Sequence, residues 1–141
     1  RTVLLDFGAT RAYGSEVAEA YRRLMRAAMH GHRDGMDEAA QAIGYFGHHI
    51  QPHQRNAVID LFALACEPLR HADGYDFGTS DLAQRIRTAG MALSTEKDFW
   101  HTPPADALFL HRKLGGMYLL AARLKAQVPV QALARPYLEQ G

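Results

Sequence analysis

Apolar residues recur at three- and four-residue steps over most of the chain, a spacing that predicts amphipathic helices. The first predicted helix follows Gly14, with Ser15 as a capping residue and Glu16 in the first turn. Gly31 ends this helix, and Asp34 can start the second. The apolar stripe of the first helix comprises Val17, Ala18, Tyr21, Leu24, Met25 and Ala28.

The same periodicity continues to the end of the chain. A third helix is predicted from Pro52, which suits a first-turn position, and Pro68 weakens or ends it. Thr79 or Ser80 can cap a fourth helix, a fifth is predicted over about 105–125, and a short sixth follows Pro129. The apolar residues assigned to these later helices are Met36, Ala39, Ala40, Ile43, Val58, Leu61, Phe62, Ala65, Leu69, Leu82, Ile86, Ala89, Leu108, Phe109, Leu119, Leu120, Leu124, Val130, Leu133 and Tyr137. The pattern predicts a mainly α fold of five or six helices.

A different pattern opens the chain, where Val3, Leu4 and Leu5 form an apolar run that reads as a buried strand. This run leads into Asp6-Phe7-Gly8, and it is the only strand that the sequence predicts. A carboxylate at a strand end in a cleft is a good ligand for Mg²⁺, which prefers oxygen donors. In kinase-type enzymes such an aspartate holds the metal that bridges nucleotide phosphates. The alternative to a metal-binding role is a purely structural one, in which the strand ends in a turn and glycine adopts a positive φ.

Composition limits the classes of function. The 141 residues suffice for one domain with a core, and a net charge of +1 gives no case for a nucleic acid partner. The single cysteine excludes an internal disulfide, which fits a reducing compartment. The sequence contains no signal peptide and no apolar run near the roughly 20 residues that a membrane span needs.

Two further motifs resemble kinase signatures without their context. Asp76-Phe77-Gly78 follows Gly74-Tyr75 instead of an apolar strand, so we interpret it as a loop that caps the next helix. His32-Arg33-Asp34 spells the start of a kinase catalytic loop, but that loop precedes Asp-Phe-Gly and carries Asn five residues after its Asp. Ala39 occupies that position here, so a solvated turn between helices is the better interpretation.

Histidines and paired glycines are the other unusual features. A zinc site would need three or four converging ligands, and the sequence has neither Cys pairs nor an H-E-x-x-H motif, so solvated histidines are favoured at His30, His32, His48, His49 and His53. Gly115 and Gly116 interrupt a helical pattern at a cost of about 1 kcal/mol each relative to Ala. Close approach of another helix is the favoured compensation. The preceding Arg112 and Lys113 can form an anion site or a solvated face.

Three ordered segments together resemble the AarF/UbiB-type atypical kinase family. They are Leu4-Leu5-Asp6-Phe7-Gly8-Ala9-Thr10-Arg11, Tyr75-Asp76-Phe77-Gly78-Thr79, and Leu110-His111-Arg112-Lys113-Leu114-Gly115-Gly116 with Leu124-Lys125-Ala126. The resemblance spans nearly the whole chain. It implies that residues 1–141 form the helical C-terminal lobe of a protein-kinase-like fold, with a short strand remnant at the N-terminus.

The resemblance also implies a function. Asp6 corresponds to the magnesium-binding aspartate, so it is the expected metal ligand and, through Mg²⁺, the contact to ATP. The family role is in ubiquinone or related isoprenoid-lipid metabolism, with ATP binding or hydrolysis better supported than protein phosphorylation. The nucleotide-anchoring lysine and the catalytic Asp and Asn are expected upstream, so no catalytic residue is assigned in this chain and the fragment alone is expected to be inactive.

Partners and location follow from the same resemblance. The expected partners are a nucleotide, an isoprenoid lipid or membrane surface, and proteins of coenzyme Q biosynthesis. A bacterial cytoplasm or a mitochondrial matrix fits, with peripheral membrane attachment. A competing hypothesis keeps the helices and drops the enzyme: a non-catalytic module that binds a partner protein or lipid through the face that carries Arg112 and Lys113.

Overall fold

The computed structural model describes residues 15–46, 50–94 and 115–139, and helices make up most of them. The elements are α1 (Ser15–Met29), α2 (Arg33–Ile43), α3 (Pro52–Ala65), a 3₁₀ helix (Glu67–Arg70), β1 (Tyr75–Asp76), α4 (Leu82–Ser94), helical backbone over 115–123 (α5), β2 (Gln127–Val128) and α6 (Val130–Leu138). The mainly α fold class is confirmed. The N-terminal strand predicted at residues 3–5 lies outside the described residues.

Helices α1 and α2 form a hairpin whose boundaries match the sequence pattern. α1 begins at Ser15, and Gly31 in the following turn has a φ of 70°, which glycine adopts at little cost. α2 ends at Gly44, whose φ is 104° and whose N–H donates to the carbonyls of Ala40 and Gln41. These left-handed glycines satisfy the last turns of both helices and bring α2 back along α1.

The hairpin packs with α3 around a cluster that we call the hairpin core. Ala28 and Ala40 are fully buried, and their small side chains let the helices approach closely. The hydroxyls of Tyr21 and Tyr45 lie 2.8 Å apart and satisfy each other inside this cluster. Burial raises the pKa of Tyr45, so its hydroxyl stays neutral. The buried members of the hairpin core are Ala20, Tyr21, Leu24, Ala27, Ala28, Met36, Ala39, Ala40, Ile43, Tyr45 and Ile59.

Helix α3 starts at Pro52, as predicted, and a reciprocal capping box joins the backbone and side chains of Gln51 and Gln54. The helix ends at Ala65, and the chain continues as the 3₁₀ helix that contains Pro68. The core-facing residue that the predicted stripe omitted is Ile59, which is 1% exposed. The end of α3 at Ala65, before Pro68, agrees with the prediction that this proline weakens or ends the helix.

A short antiparallel sheet corrects the prediction that no strand follows Leu5. β1 pairs with β2 in a register that places Tyr75 opposite Val128 and Asp76 opposite Gln127. Each strand has only two residues, which is too short for an alternating apolar pattern to predict it. The two paired strands also lie far apart along the chain. Beside this sheet lies the aromatic cluster, whose buried members are Tyr75, Phe77 and Leu82, with Ile86, Tyr118 and Ala121 among the residues packed on them.

Helices α5 and α6 bury fewer of their large apolar residues than the sequence suggests. Leu119, Leu120 and Leu124 are between 57% and 70% exposed, and so are Leu133 and Tyr137. α6 instead anchors itself through Leu138, which is buried against Met29 and Leu69. Within the described ranges, no helix combines the length and the apolar character that a membrane crossing requires.

Side chains from distant segments bind carbonyls near the C-terminal ends of four helices. The last carbonyls of a helix lack partners within it, so donors from outside can take the place of water; the Ala28 carbonyl also accepts from the N–H of Gly31. The pairs are Arg70 to Ala28 of α1, Tyr118 to Ala65 of α3, Gln131 to Leu69 of the 3₁₀ helix, and Arg26 to Leu138 of α6. The last pair joins residues that are 112 positions apart.

Candidate functional site

The predicted metal and nucleotide ligand, Asp6, lies outside the described residues, as do His48, His49, Arg112 and Lys113. Its role as a magnesium ligand therefore stays a prediction. The second Asp-Phe-Gly motif is described in full.

Asp76 uses its carboxylate within its own turn. Oδ1 accepts hydrogen bonds from the backbone N–H groups of Gly78 at 2.9 Å and Thr79 at 3.3 Å. Ser80 Oγ accepts from the N–H of Leu82 at 3.0 Å, at the start of α4. The motif is therefore a turn that leads into a capped helix, as its sequence context predicted, because its polar groups satisfy the local backbone.

Phe77 and Gly78 fix this turn against the segment before β2. Phe77 packs between Tyr75 and Tyr118, with ring centroids 4.8 and 5.7 Å away, and its N–H donates to the Ala126 carbonyl at 2.8 Å. A Cβ on Gly78 would lie 2.9 Å from the Cα of Lys125 and 2.8 Å from its Cβ. Glycine is required here by the close approach of a neighbouring backbone, so the motif has a packing role.

A polar network centred on Glu67 lies next to the aromatic cluster. Arg85 donates to both carboxylate oxygens of Glu67, at 2.8 and 2.6 Å, and the Tyr75 hydroxyl donates to Oε2 at 2.6 Å. The hydrogen bonds from Arg85 are the main reason that the pKa of Glu67 falls to about 2. Glu67 is therefore a charged acceptor at neutral pH, committed to three donors.

The same network extends to α4 and to the turn before it. Arg85 Nε donates to Asp81 Oδ1 at 2.7 Å, and the hydroxyls of Tyr75 and Ser80 are hydrogen bonded. Burial is the main cause of a raised pKa at Tyr75, and the neighbouring Glu67 adds to it. The network joins the 3₁₀ helix, β1 and α4. Sequence reasoning missed it because Glu67 and Arg85 are 18 positions apart with no periodic signal between them.

A shallow concavity of about 430 Å³ lies beside the sheet. Asp73 and Asp76 line it together with the backbone of both strands and Gln127, whose Nε2 is 3.5 Å from Asp76 Oδ2. Its lining includes no lysine or arginine, so the concavity does not suit the phosphates of a nucleotide. Across the residues that the structure describes, no three His, Cys, Asp or Glu side chains converge as a metal site would require.

His32-Arg33-Asp34 is exposed, as predicted, but it forms the cap and first residues of α2 instead of a turn between helices. His32 occupies the capping position, and its carbonyl accepts from the N–H of Met36. Arg33 is exposed and donates to Asp60 Oδ1 at 2.6 Å. These contacts join α2 to α3 at the surface.

Curated proteins with similar sequences are atypical kinases. The chain is 34% identical over 128 residues to the mitochondrial atypical kinase coq-8 of Caenorhabditis elegans, covering 91% of the chain and 17% of the relative. It is 32% identical over 133 residues to the mitochondrial atypical kinase COQ8B of Rattus norvegicus, covering 94% and 25%. It is also 32% identical over 128 residues to the mitochondrial atypical kinase COQ8 of Saccharomyces cerevisiae, covering 89% and 25%. No protein-family model matches the chain.

Over about nine tenths of its length the chain is similar to these mitochondrial atypical kinases, which confirms the predicted resemblance to the AarF/UbiB-type atypical kinase family. It spans between 17% and 25% of the length of the three relatives described above.

The three segments that carry the AarF/UbiB resemblance fare differently in the structure. The first lies outside the described residues, and the second is the turn at Asp76-Phe77-Gly78. The third is described from Gly115 onward. None of the described helices packs on Gly115 or Gly116, since no atom of another described element lies within 4 Å of the place that a Cβ would occupy on either glycine.

Proposed function

We propose that this chain is the C-terminal lobe of an atypical kinase or ATPase that supports ubiquinone biosynthesis, with Mg-ATP bound in the whole protein. The observation that carries the proposal is the similarity over about nine tenths of the chain to several mitochondrial atypical kinases. The extent of the match matters, because it includes helices and turns in addition to the short motifs.

Asp6 is the residue proposed to bind Mg²⁺ and, through the metal, the phosphates of ATP. The two Asp-Phe-Gly copies differ in the residues that precede them, and this difference supports the choice of Asp6. Asp76 satisfies backbone N–H groups in its own turn and adjoins a concavity without basic side chains. Asp6 follows an apolar run, as expected of a strand that delivers a carboxylate into a cleft.

We expect the isolated 141-residue segment to be inactive. A single aspartate leaves the metal without a second protein ligand and the phosphates without a lysine, and both contribute to phosphoryl transfer in kinase folds. We further propose a mitochondrial location, after the relatives' names, with coenzyme Q biosynthesis proteins and an isoprenoid lipid or membrane surface as partners.

The test is an Asp6→Asn substitution in the full-length protein. The loss of a carboxylate on Mg²⁺ is expected to lower Mg-dependent ATP hydrolysis by at least about a hundredfold, because metal clamping supplies several kcal/mol of transition-state stabilisation. Phosphate release at saturating ATP measures the rate, and calorimetric titration with Mg-ATP measures binding.

Asp76→Asn is the matched control, since the amide oxygen of Asn can still accept the hydrogen bonds from Gly78 and Thr79. This variant should hydrolyse ATP at the wild-type rate. Unchanged hydrolysis in Asp6→Asn would remove Asp6 from the mechanism. If the intact protein failed to bind Mg-ATP at millimolar nucleotide, the non-catalytic alternative would replace the enzyme.

A further inference from the structure

Helix α5 presents an apolar stripe to solvent. Its inner side carries Tyr118 and Ala121, which pack on the aromatic cluster. At 100° per residue, Gly116 and Leu120 lie along a different side of the helix. Leu124 continues that side in the turn directly after α5, where its N–H donates to the Leu120 carbonyl. Leu120 is 57% exposed and Leu124 is 70% exposed. Met117, which borders the stripe, is also exposed, so the surface is continuous over the described length of α5.

Glycine is the feature that distinguishes this stripe from ordinary surface leucines. Gly115 and Gly116 lie in helical backbone, where each costs about 1 kcal/mol relative to Ala. Among the described residues outside the glycines' own helix, no atom lies within 4 Å of their Cβ positions, so packing between the described elements does not offset that cost. Glycine on an exposed helix face allows another backbone to approach closely, as it does at helix–helix contacts.

The charge around the stripe indicates the chemistry of what binds. Residues 115–138 include Arg123, Lys125 and Arg135 and no Asp or Glu. Arg123 and Lys125 are exposed beside the last turn of α5. An acidic partner would complement them, and complementary flanking charges favour one partner and one orientation over others.

We propose that the α5 face formed by Gly116, Leu120 and Leu124 is a docking surface for an amphipathic helix of a partner protein, with acidic residues flanking that helix's apolar side. A helix placed on Gly116 can approach the α5 backbone and cover Leu120 and Leu124 in the manner of helix-in-groove recognition. A lipid surface is a less suitable occupant. Glycine at position 116 adds almost no apolar area that a membrane could bury, whereas a larger apolar side chain would add more. This inference is independent of nucleotide binding.

The test uses the full-length protein and a fluorescent stapled peptide of about five helical turns. Leucines form one side of the peptide and glutamates flank them; a second peptide has lysine in place of every glutamate. Anisotropy titration should give at least about tenfold tighter binding of the acidic peptide. Leu120→Glu and Gly116→Leu should each weaken that binding by about tenfold or more.

Leu133→Glu is the control, because Leu133 on α6 is 60% exposed and lies on another helix. It should leave peptide binding unchanged. Leu120→Glu and Leu133→Glu should unfold at about the wild-type temperature because both positions are exposed, whereas Gly116→Leu should unfold slightly higher because leucine removes the cost of glycine in a helix. A protein that bound the two peptides equally, or that bound neither, would overturn the proposal.

Two further measurements separate the other occupants. Flotation with vesicles of equal parts phosphatidylcholine and phosphatidylglycerol tests a lipid surface, and stronger flotation of Gly116→Leu would contradict the helix proposal. Sedimentation tests a second copy: a dimer that Leu120→Glu dissociates would also overturn it. A monomer that binds the acidic peptide, and binds it more weakly as Gly116→Leu, supports it. Loss of ATP hydrolysis in Asp6→Asn would leave this result unaffected.

Discussion

The hairpin core and the aromatic cluster are built in contrasting ways. In the hairpin core, alanines such as Ala28 and Ala40 are fully buried, and α1 and α2 are consecutive in the chain. In the aromatic cluster, Tyr75 and Phe77 meet Tyr118 from a distant helix, and the Glu67 network lies at its edge. The first region is packed mainly from the apolar side chains of α1 and α2, with the hydroxyls of Tyr21 and Tyr45 paired inside it. The second depends on the polar Glu67 network and on one close backbone approach.

This contrast predicts how each region tolerates change. Because most side chains of the hairpin core are apolar, this core should respond to lost volume, since a cavity loses both transfer free energy and packing contacts. The aromatic cluster should respond to lost hydrogen bonds and to added atoms at Gly78. Substitutions that separate these two responses are the sharpest tests of the comparison.

The largest expected effect is in the hairpin core. Leu24 is 4% exposed there, so Leu24→Ala should lower the free energy of unfolding by about 3 kcal/mol. Urea unfolding of the chain, followed by circular dichroism, measures the change. Leu133→Ala on the exposed side of α6 is the control and should change stability by less than about 0.5 kcal/mol. Equal effects of the two substitutions would contradict the assignment of Leu24 to a packed core.

Gly78→Ala should have the next largest effect, about 2 kcal/mol of destabilisation, because the new Cβ would meet the Lys125 backbone at 2.9 Å. Hydrogen exchange should quicken at Phe77, whose N–H donates to Ala126 across this contact. Gly90→Ala in α4 is the matched control, since nothing lies within 4 Å of its Cβ position. There, alanine should stabilise the helix by about 0.5–1 kcal/mol. A neutral Gly78→Ala would exclude the close approach.

The smallest effect, about 1 kcal/mol at pH 7, is expected for Glu67→Gln, since this carboxylate is partly exposed and solvent screens its pairing. The pKa of Glu67 falls in the folded protein from 4.5 to about 2. Its contribution is therefore complete above about pH 4.5 and is lost as the pH falls toward 2.

Urea unfolding of the wild type and of Glu67→Gln across this pH range measures the difference between them. That difference should shrink steadily below pH 4.5. Asp37→Asn, next to the hairpin core, is a second carboxylate for comparison: Arg55 lowers the pKa of Asp37, so its contribution should also fall at low pH. A stability difference for Glu67→Gln that did not vary with pH would exclude Glu67 as the titrating group.

The sequence predicted the hairpin well because its determinants are local. Met36, Ala39, Ala40 and Ile43 repeat at helical spacing, and all four are buried. Gly44 ends α2 for a reason visible in one residue, its freedom at positive φ. Pro52 starts α3 because its fixed φ and missing N–H suit a first turn, and Pro68 lies just beyond the end of the helix at Ala65. Where one residue or one helical turn contains the cause, the pattern sufficed.

The sequence predicted less where the cause lies far along the chain. The pairing of Tyr75 with Val128, the approach of Lys125 to Gly78 and the bonds from Arg85 to Glu67 join segments that no periodicity relates. For the same reason the pattern named Leu120 and Leu124 without indicating that they are exposed, since helical spacing identifies a stripe and not what covers it.

The candidate site also shows this difference between local and distant causes. Context predicted that Asp76-Phe77-Gly78 is a turn that leads into a helix, and in that turn Asp76 accepts hydrogen bonds from the backbone N–H groups of Gly78 and Thr79. The assignment of Asp6 depends on partners expected upstream of the chain, which no residue pattern inside it can supply. That assignment stays a prediction, and Asp6→Asn is its test.

The side chains that bind helix-end carbonyls tie the last helix to the first. Arg26 of α1 donates to Leu138 at the end of α6, and Gln131 of α6 donates to Leu69. Removal of α6 would expose Met29 to solvent and take away the carbonyl that Arg26 binds. The loss of α6 should therefore lower the stability of α1. These contacts favour cooperative, two-state unfolding over stepwise loss of single helices, and they make the nine-residue helix α6 part of the same cooperative unit as α1.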